Sequence, residues 1–199
     1  MRRETIMKSR KAVLTVVLTG ILGALSFVIQ LLEIPLFPAV DFLKLDFSDI
    51  PALFMSFTLS PLAGVAVVLI KNVVHLAVSH TAFVGELANF GIGAAYVLIA
   101  GLVYGAMGKR KEKWFKSTVL ALTTGSLAQI TVATVLNIYV LVPLYRNLYN
   151  FDIVLVLGSM SNYLKYLIPF NIIKDTIVSV LFAVLFRYTY KALTKMLDR

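Results

Sequence analysis

Residues Ile50–His80 read IPALFMSFTLSPLAGVAVVLIKNVVHLAVSH. The stretch is 31 residues long and almost wholly apolar. As one α-helix it would reach about 46 Å, well beyond a hydrocarbon core of about 30 Å. Ser60-Pro61 falls inside it, and a proline in that position ends or kinks a helix. The stretch therefore divides into a short segment, Ile50–Leu59, and a longer one, about Pro61–Val78. The short segment can cross only part of a bilayer and must lean on protein.

Working outward, four further segments are long and apolar enough to span: Ala12–Leu32, Glu86–Gly108, Ser117–Tyr145 and Leu167–Tyr190. The composition agrees. Of 199 residues 59% are hydrophobic and 15% charged, and the mean hydropathy is +0.88. Soluble domains carry about a quarter charged residues. We read an all-α membrane protein, residues 1–199 forming one domain, with no long linker. A basic tail precedes Ala12–Leu32, but that run is long enough to span and no small-x-small cleavage site follows it. It reads as a retained helix rather than a signal peptide.

The net charge of +9 raises the question of nucleic acid, and the placement of the charges answers it. Five bases sit in the N-terminal tail (Arg2, Arg3, Lys8, Arg10, Lys11), five in one loop (Lys109, Arg110, Lys111, Lys113, Lys116) and four at the C-terminal end (Arg187, Lys191, Lys195, Arg199). These 14 of 19 bases each flank an apolar stretch. The positive-inside rule puts all three clusters in the cytoplasm and leaves no nucleic-acid patch. An even number of crossings must then lie between the first two clusters, which requires both pieces of Ile50–His80. The expectation is six transmembrane helices, a short second one, and both termini cytoplasmic. Three connections face outside: Glu33–Asp49, Ser79–Gly85 and Arg146–Tyr166.

Polar groups inside spans are costly and mark function by default, ionised ones by roughly 2.5–3.5 kcal/mol each. Asn137 lies about 30 Å along the fifth helix, near its outer end. Asn171 and Lys174 share one face in the first turns of the sixth helix. Glu86 and Asn89 open the fourth, while Lys71, Asn72 and His75 occupy the middle and outer half of the third. The first external loop, with Lys44, Asp46 and Asp49, lies over this level. The pattern describes an outward cavity whose amides and lysine suit carbonyls and hydroxyls, and whose Phe, Tyr and Leu suit an aromatic body. Bland readings stand beside it. Lys174-Asp175 forms a local ion pair, Asn171 caps or joins helices, and Lys71 either snorkels or pairs with an acid. His75 and His80 lack a carboxylate companion at metal spacing, so no metal site is expected. Small residues mark a second feature: Gly20-x-x-x-Ala24 with Gly23 on the first helix, and Gly91-x-x-x-Ala95 and Gly101-x-x-x-Gly105 on the fourth. The fourth helix uses its glycines within the bundle, while the first offers its face to a partner protein. With no cysteine, no P-loop and no Ser/His/Asp or H-E-x-x-H arrangement, the chain shows no enzyme constellation and no means of driving itself with ATP.

The stretches LKLDFSDIPAL (Leu43–Leu53), SPLAGVAVVLIKNVVHL (Ser60–Leu76), GELANFGIGAAY (Gly85–Tyr96), LNIYVLVPLY (Leu136–Tyr145) and IPFNIIKD (Ile168–Asp175) together resemble the riboflavin-specific S components of energy-coupling factor (ECF) vitamin transporters. The resemblance covers nearly the whole chain. It implies a multi-pass protein of a prokaryotic cell membrane that captures riboflavin outside. Such a protein docks on a membrane scaffold subunit carrying two ATPase subunits. It implies riboflavin as transported ligand and no cofactor. By the same resemblance Asn137, Asn171 and Lys174 hold the ligand's polar groups, and the first loop, Phe42, Leu43, Lys44, Leu45 and Asp46, covers it. Glu86 and Asn89 line the far wall, and Gly20, Gly23 and Ala24 meet the scaffold. Two positions depart from the family: its alanine motif appears as Gly20 and Ala24, and Ser60 stands where glycine is expected. The alternatives are an S component for thiamine or biotin, or a stand-alone secondary transporter with Glu86, His75 or Lys174-Asp175 as proton carriers. Such transporters commonly show inverted repeats, which are not visible here.

Overall fold

The computed structural model describes residues 2–40, 42–79, 83–107 and 114–197. His80, the loop bases Lys109, Arg110, Lys111 and Lys113, and Arg199 lie outside the described residues. The chain is helical almost throughout: α1 (Arg2–Gln30), α2 (Asp49–Thr58), α3 (Pro61–His75), α4 (Val84–Ala106), α5 (Trp114–Leu136), α6 (Val142–Tyr149), α7 (Ile153–Val156) and α8 (Met160–Leu197). The first loop carries a two-residue antiparallel ladder, β1 (Ile34–Pro35) with β2 (Lys44–Leu45), in which Ile34 pairs with Leu45.

Five helical stretches are long and apolar enough to cross a membrane: Ala12–Gln30, Pro61–Val78, Val84–Ala106, Trp114–Tyr149 and Met160–Thr189. Their outward faces carry large apolar side chains such as Val16, Leu62 and Leu127, each more than half exposed. Such a continuous apolar exterior is what a bilayer covers. This is a multi-pass membrane protein.

The sixth expected crossing, α2, has ten residues, about 15 Å of helix. It survives at that length because α1, α3, α4 and α8 all pack against it. Nine of its ten residues are buried. The turn after it is held by Ser60, whose hydroxyl accepts from the Ala63 N–H at 3.1 Å while Pro61 starts α3. Asp49 and Lys71 stand eleven residues before and after Ser60, so they reach the same height above the turn.

Glycines set the close approaches. A Cβ at Gly101 would fall 1.9 Å from the Ser56 hydroxyl, and one at Gly23 would fall 2.6 Å from Ile70 Cγ2. Gly101 thus seats α4 against α2, whereas Gly105 is open on the outside.

The connection expected over Arg146–Tyr166 is mostly helix. The fifth helix runs on from α5 into α6, through a π turn at Asn137–Leu141 where the Val142 N–H reaches the Asn137 carbonyl. Pro143 explains the turn: it has no N–H for the carbonyl four residues back, and a wider turn absorbs the defect. Asn150 then closes α6 in the left-handed conformation. At the far side α8 begins at Met160, seven residues before the expected Leu167, with Pro169 inside it. Both helices overrun an apolar window because their polar ends (Arg146, Asn147, Lys165) gain nothing from ending sooner.

Candidate functional site

A chain of charges runs through the loop end of the bundle. Lys71 is fully buried on α3. Its ammonium donates to Asp49 Oδ1 at 2.6 Å and to Ser48 Oγ at 2.6 Å. The Ser48 hydroxyl donates to Asp46 Oδ1, as does its backbone N–H at 2.9 Å. The other oxygen of Asp46 accepts from the Lys174 ammonium of α8 at 2.7 Å. Two ion pairs sharing a serine thus tie the end of the first loop to α3 on one side and α8 on the other. Burial by itself would push the Asp46 carboxyl up, but Lys174, then Lys71, and the hydrogen bonds from Lys174 and Ser48 hold it well below the usual carboxylate range. Lys71 pairs with an acid rather than snorkelling. Lys174 pairs with Asp46 rather than with its neighbour Asp175.

Two buried amides lie on the fifth helix and on α8. Asn137 donates to the Ala133 carbonyl at 2.7 Å and accepts from the Tyr163 hydroxyl of α8. Asn171 donates to the Leu167 carbonyl at 2.8 Å. Each NH2 group has two hydrogens, so each keeps one to offer a guest. Asn137 is the first residue of the π turn, which aims it from the fifth helix at α8. The loop supplies the apolar part. Leu43 is buried with Val40 against Val142, Tyr163, Leu167 and Phe170. Phe42 is 40% exposed, with its ring 6.2 Å from that of Tyr163. Leu45 sits in the ladder, and Lys44 is exposed and pairs with Glu33 at the foot of the loop.

The remaining expected site residues divide. Glu86 is buried and paired with His75 Nδ1 at 2.8 Å, and the His75 ring also meets Phe27 edge-on. That joins α1, α3 and α4. Asn89 is half-buried one turn further along α4. On α1, Gly20 and Ala24 are exposed and a Cβ at Gly20 meets nothing within 4 Å. Gly23 points the other way, into Ile70, and so belongs to the bundle rather than to the outward face. No group of three His, Asp or Glu suited to a metal occurs among the described residues. An open depression of about 470 Å³ near Arg146, Asn150, Asp152 and Leu155 involves none of the expected residues.

Sequence reasoning missed Ser48, Tyr163 and the Asp46–Lys174 pairing. Ser48 carried a signal: a small hydroxyl between two acids in a loop of a membrane protein has neutralising work at hand. Tyr163 carried none, because it fell in a segment expected to be an external connection.

Comparison with known proteins identifies the family. Residues 14–186 match the family described as ECF transporter, substrate-specific component. The chain is 34% identical to the riboflavin transporter RibU of Staphylococcus aureus, over 94% of each protein. It is 30% identical to the riboflavin transporter FmnP of Bacillus subtilis, over 85% of this chain and 88% of that one. A solved structure of the S component of a bacterial ECF transporter superposes with a TM-score of 0.71 at 34% identity, covering 93% of this chain and 98% of that one.

Proposed function

Because the chain belongs to the substrate-specific components of ECF transporters, we propose that it binds riboflavin at the loop end of the bundle and delivers it to an ATP-driven module. The observation that supports the reading is the row of Tyr163, Asn171 and Lys174 along one side of α8, with Asn137 of the fifth helix reaching Tyr163 and Asp46 of the first loop reaching Lys174. Riboflavin has a flat aromatic body with a carbonyl-rich edge and a chain of hydroxyls. Spare amide hydrogens and an ammonium match the polar edge, and Phe42, Leu43 and Leu45 cover the flat face. Asp46 orients Lys174, Lys44 fastens the foot of the loop, and Glu86 and Asn89 finish the wall on α4.

In this reading α2 counts as a sixth, partial crossing. Both termini then face the cytoplasm, the loop end faces outside, and the membrane is the bacterial plasma membrane. The open face at Gly20 and Ala24 is where a scaffold helix approaches, and two ATPase subunits bound to that scaffold supply the energy. The test is the absorption spectrum of the detergent-purified protein, followed by a fluorescence titration. Tight binding of riboflavin is expected. Tight binding of thiamine or biotin with no response to riboflavin would overturn the assignment.

A further inference from the structure

One buried acid has no place in the scheme so far. Asp175 is 2% exposed, and neither of its carboxylate oxygens has a hydrogen-bond partner. It lies one turn below Asn171 on the same face of α8 and directly follows Lys174. The groups that face it can be named from every side. Lys174 precedes it on α8, and Asp49 approaches from α2 with Lys71 of α3 behind it. Ser126 of α5 faces it without reaching hydrogen-bond geometry. From α4 comes the Tyr96 phenol, which is engaged with Ser179 at 2.7 Å. Asp46 stands beyond, on Lys174.

The charges can then be counted. Two ammonium groups, Lys71 and Lys174, are matched by two carboxylates, Asp49 and Asp46. A third carboxylate would be a buried charge with neither a cation of its own nor a donor, which a protein interior does not tolerate. The carboxyl of Asp175 is therefore neutral while the loop is closed. If Asp46 withdraws with the loop, Lys174 loses its partner, and Asp175 is the carboxyl left beside it.

We propose that Asp175 is the reserve counterion of Lys174: it holds a proton while Asp46 is in place and releases it when the loop lifts. The step breaks one O–H bond, and the proton passes to water at the opened end. The charge of Lys174 is balanced throughout, so the loop can open without stranding a buried cation. Asp175 is a positioning residue that acts through Lys174. The inference rests on the riboflavin-binding reading above.

The closed state holds one proton more than the open one, so acid favours closure. Riboflavin release from the purified protein, followed by stopped-flow fluorescence over roughly pH 5 to pH 9, should accelerate with pH, by up to about tenfold per unit in the titrating range. Asp175→Asn should bind riboflavin and release it slowly at every pH. The His75–Glu86 pair is intact in that variant, so any slope it contributes remains in both proteins. An Asp175→Asn protein with the full wild-type slope overturns the proposal. A second measurement does not depend on that variant folding. Infrared spectra of the wild type at neutral pH should show a protonated carboxyl band that disappears in Asp46→Ala, where Lys174 has lost its partner. Absence of the band from wild type, or its persistence in Asp46→Ala, also overturns it. A protein that binds no riboflavin at all sinks the functional reading instead.

Discussion

Asp46 and Lys174 are separated by 128 residues in the chain and by 2.7 Å between their charged atoms. One belongs to a loop that begins after the first helix, the other to the last helix. Closing so long an interval with a buried ion pair makes the pair a latch: the loop cannot lift without breaking it, and no other contact in the loop joins it to α8 by charge among the described residues.

The latch has a defined acid limit. The Asp46 carboxyl is held below its ordinary value of 3.8, so its contribution to stability is fully present above that value and fades as pH falls beneath it. The melting temperature of Asp46→Asn should lie below wild type at neutral pH, and the gap should narrow as the medium is acidified below about pH 4. Thermal unfolding in detergent at several pH values checks this. A gap that widens in acid would show that Asp46 is not ionised in the folded protein.

Lys71 should be the most sensitive single position in the bundle. Lys71→Ala leaves Asp49 without its cation and Ser48 without its donor, and removing one partner of a buried pair costs about 3–5 kcal/mol. The expected result is a large fall in melting temperature or loss of expression. A protein of wild-type stability would mean that solvent reaches the pair.

Asn171→Ala should weaken riboflavin binding by about 1–3 kcal/mol, since a polar atom of the ligand is left unpaired in a dry pocket. Asn137→Ala should do the same and also release the Tyr163 hydroxyl. Titration against intrinsic fluorescence measures both. If both folded variants bind as wild type, the ligand lies elsewhere.

Gly20 and Gly23 should give opposite results. Gly23→Leu drives a side chain into Ile70 and should unfold or destabilise the isolated protein. Gly20→Leu meets no neighbour in the bundle, so stability and riboflavin binding should be unchanged while pull-down of the scaffold subunit fails. Assembly that survives Gly20→Leu would move the docking face off this side of α1.

The sequence made the architecture legible where a local rule was strong. Ser60-Pro61 and the three basic clusters point to the α2–α3 turn without any tertiary information, whereas the depth of Asn137, Asn171 and Lys174 could not be counted from the expected helix ends, because the fifth helix runs on to Tyr149 and α8 begins at Met160. Pairings across the bundle were not legible. The choice of Lys71 between snorkelling and an acid depends on Asp49 being level with it, and the choice of Lys174 between Asp175 and Asp46 depends on where a loop folds. Gly23 could be told from Gly20 only once α3 was known to pack on one side of α1. The ends of the fifth and last helices were misplaced because polar residues there were read as loop, whereas helices can continue into water at little cost. The π turn at Asn137 left one trace, Pro143, which reads equally well as the end of a helix.

The equal spacing of Asp49 and Lys71 about Ser60 bears on how the protein is made. A ten-residue helix is too short to be held in a bilayer by itself, and a helix carrying a lone lysine inserts at a cost of about 2.5–3.5 kcal/mol. Joined by their tight turn, the two helices bring ammonium and carboxylate together as soon as the second is complete. The charges then cross into the lipid as a neutral pair. If α2 is counted as a sixth, partial crossing, the unit of membrane entry is a helical hairpin rather than either helix, and α2 can precede α3 out of the ribosome without being lost to water.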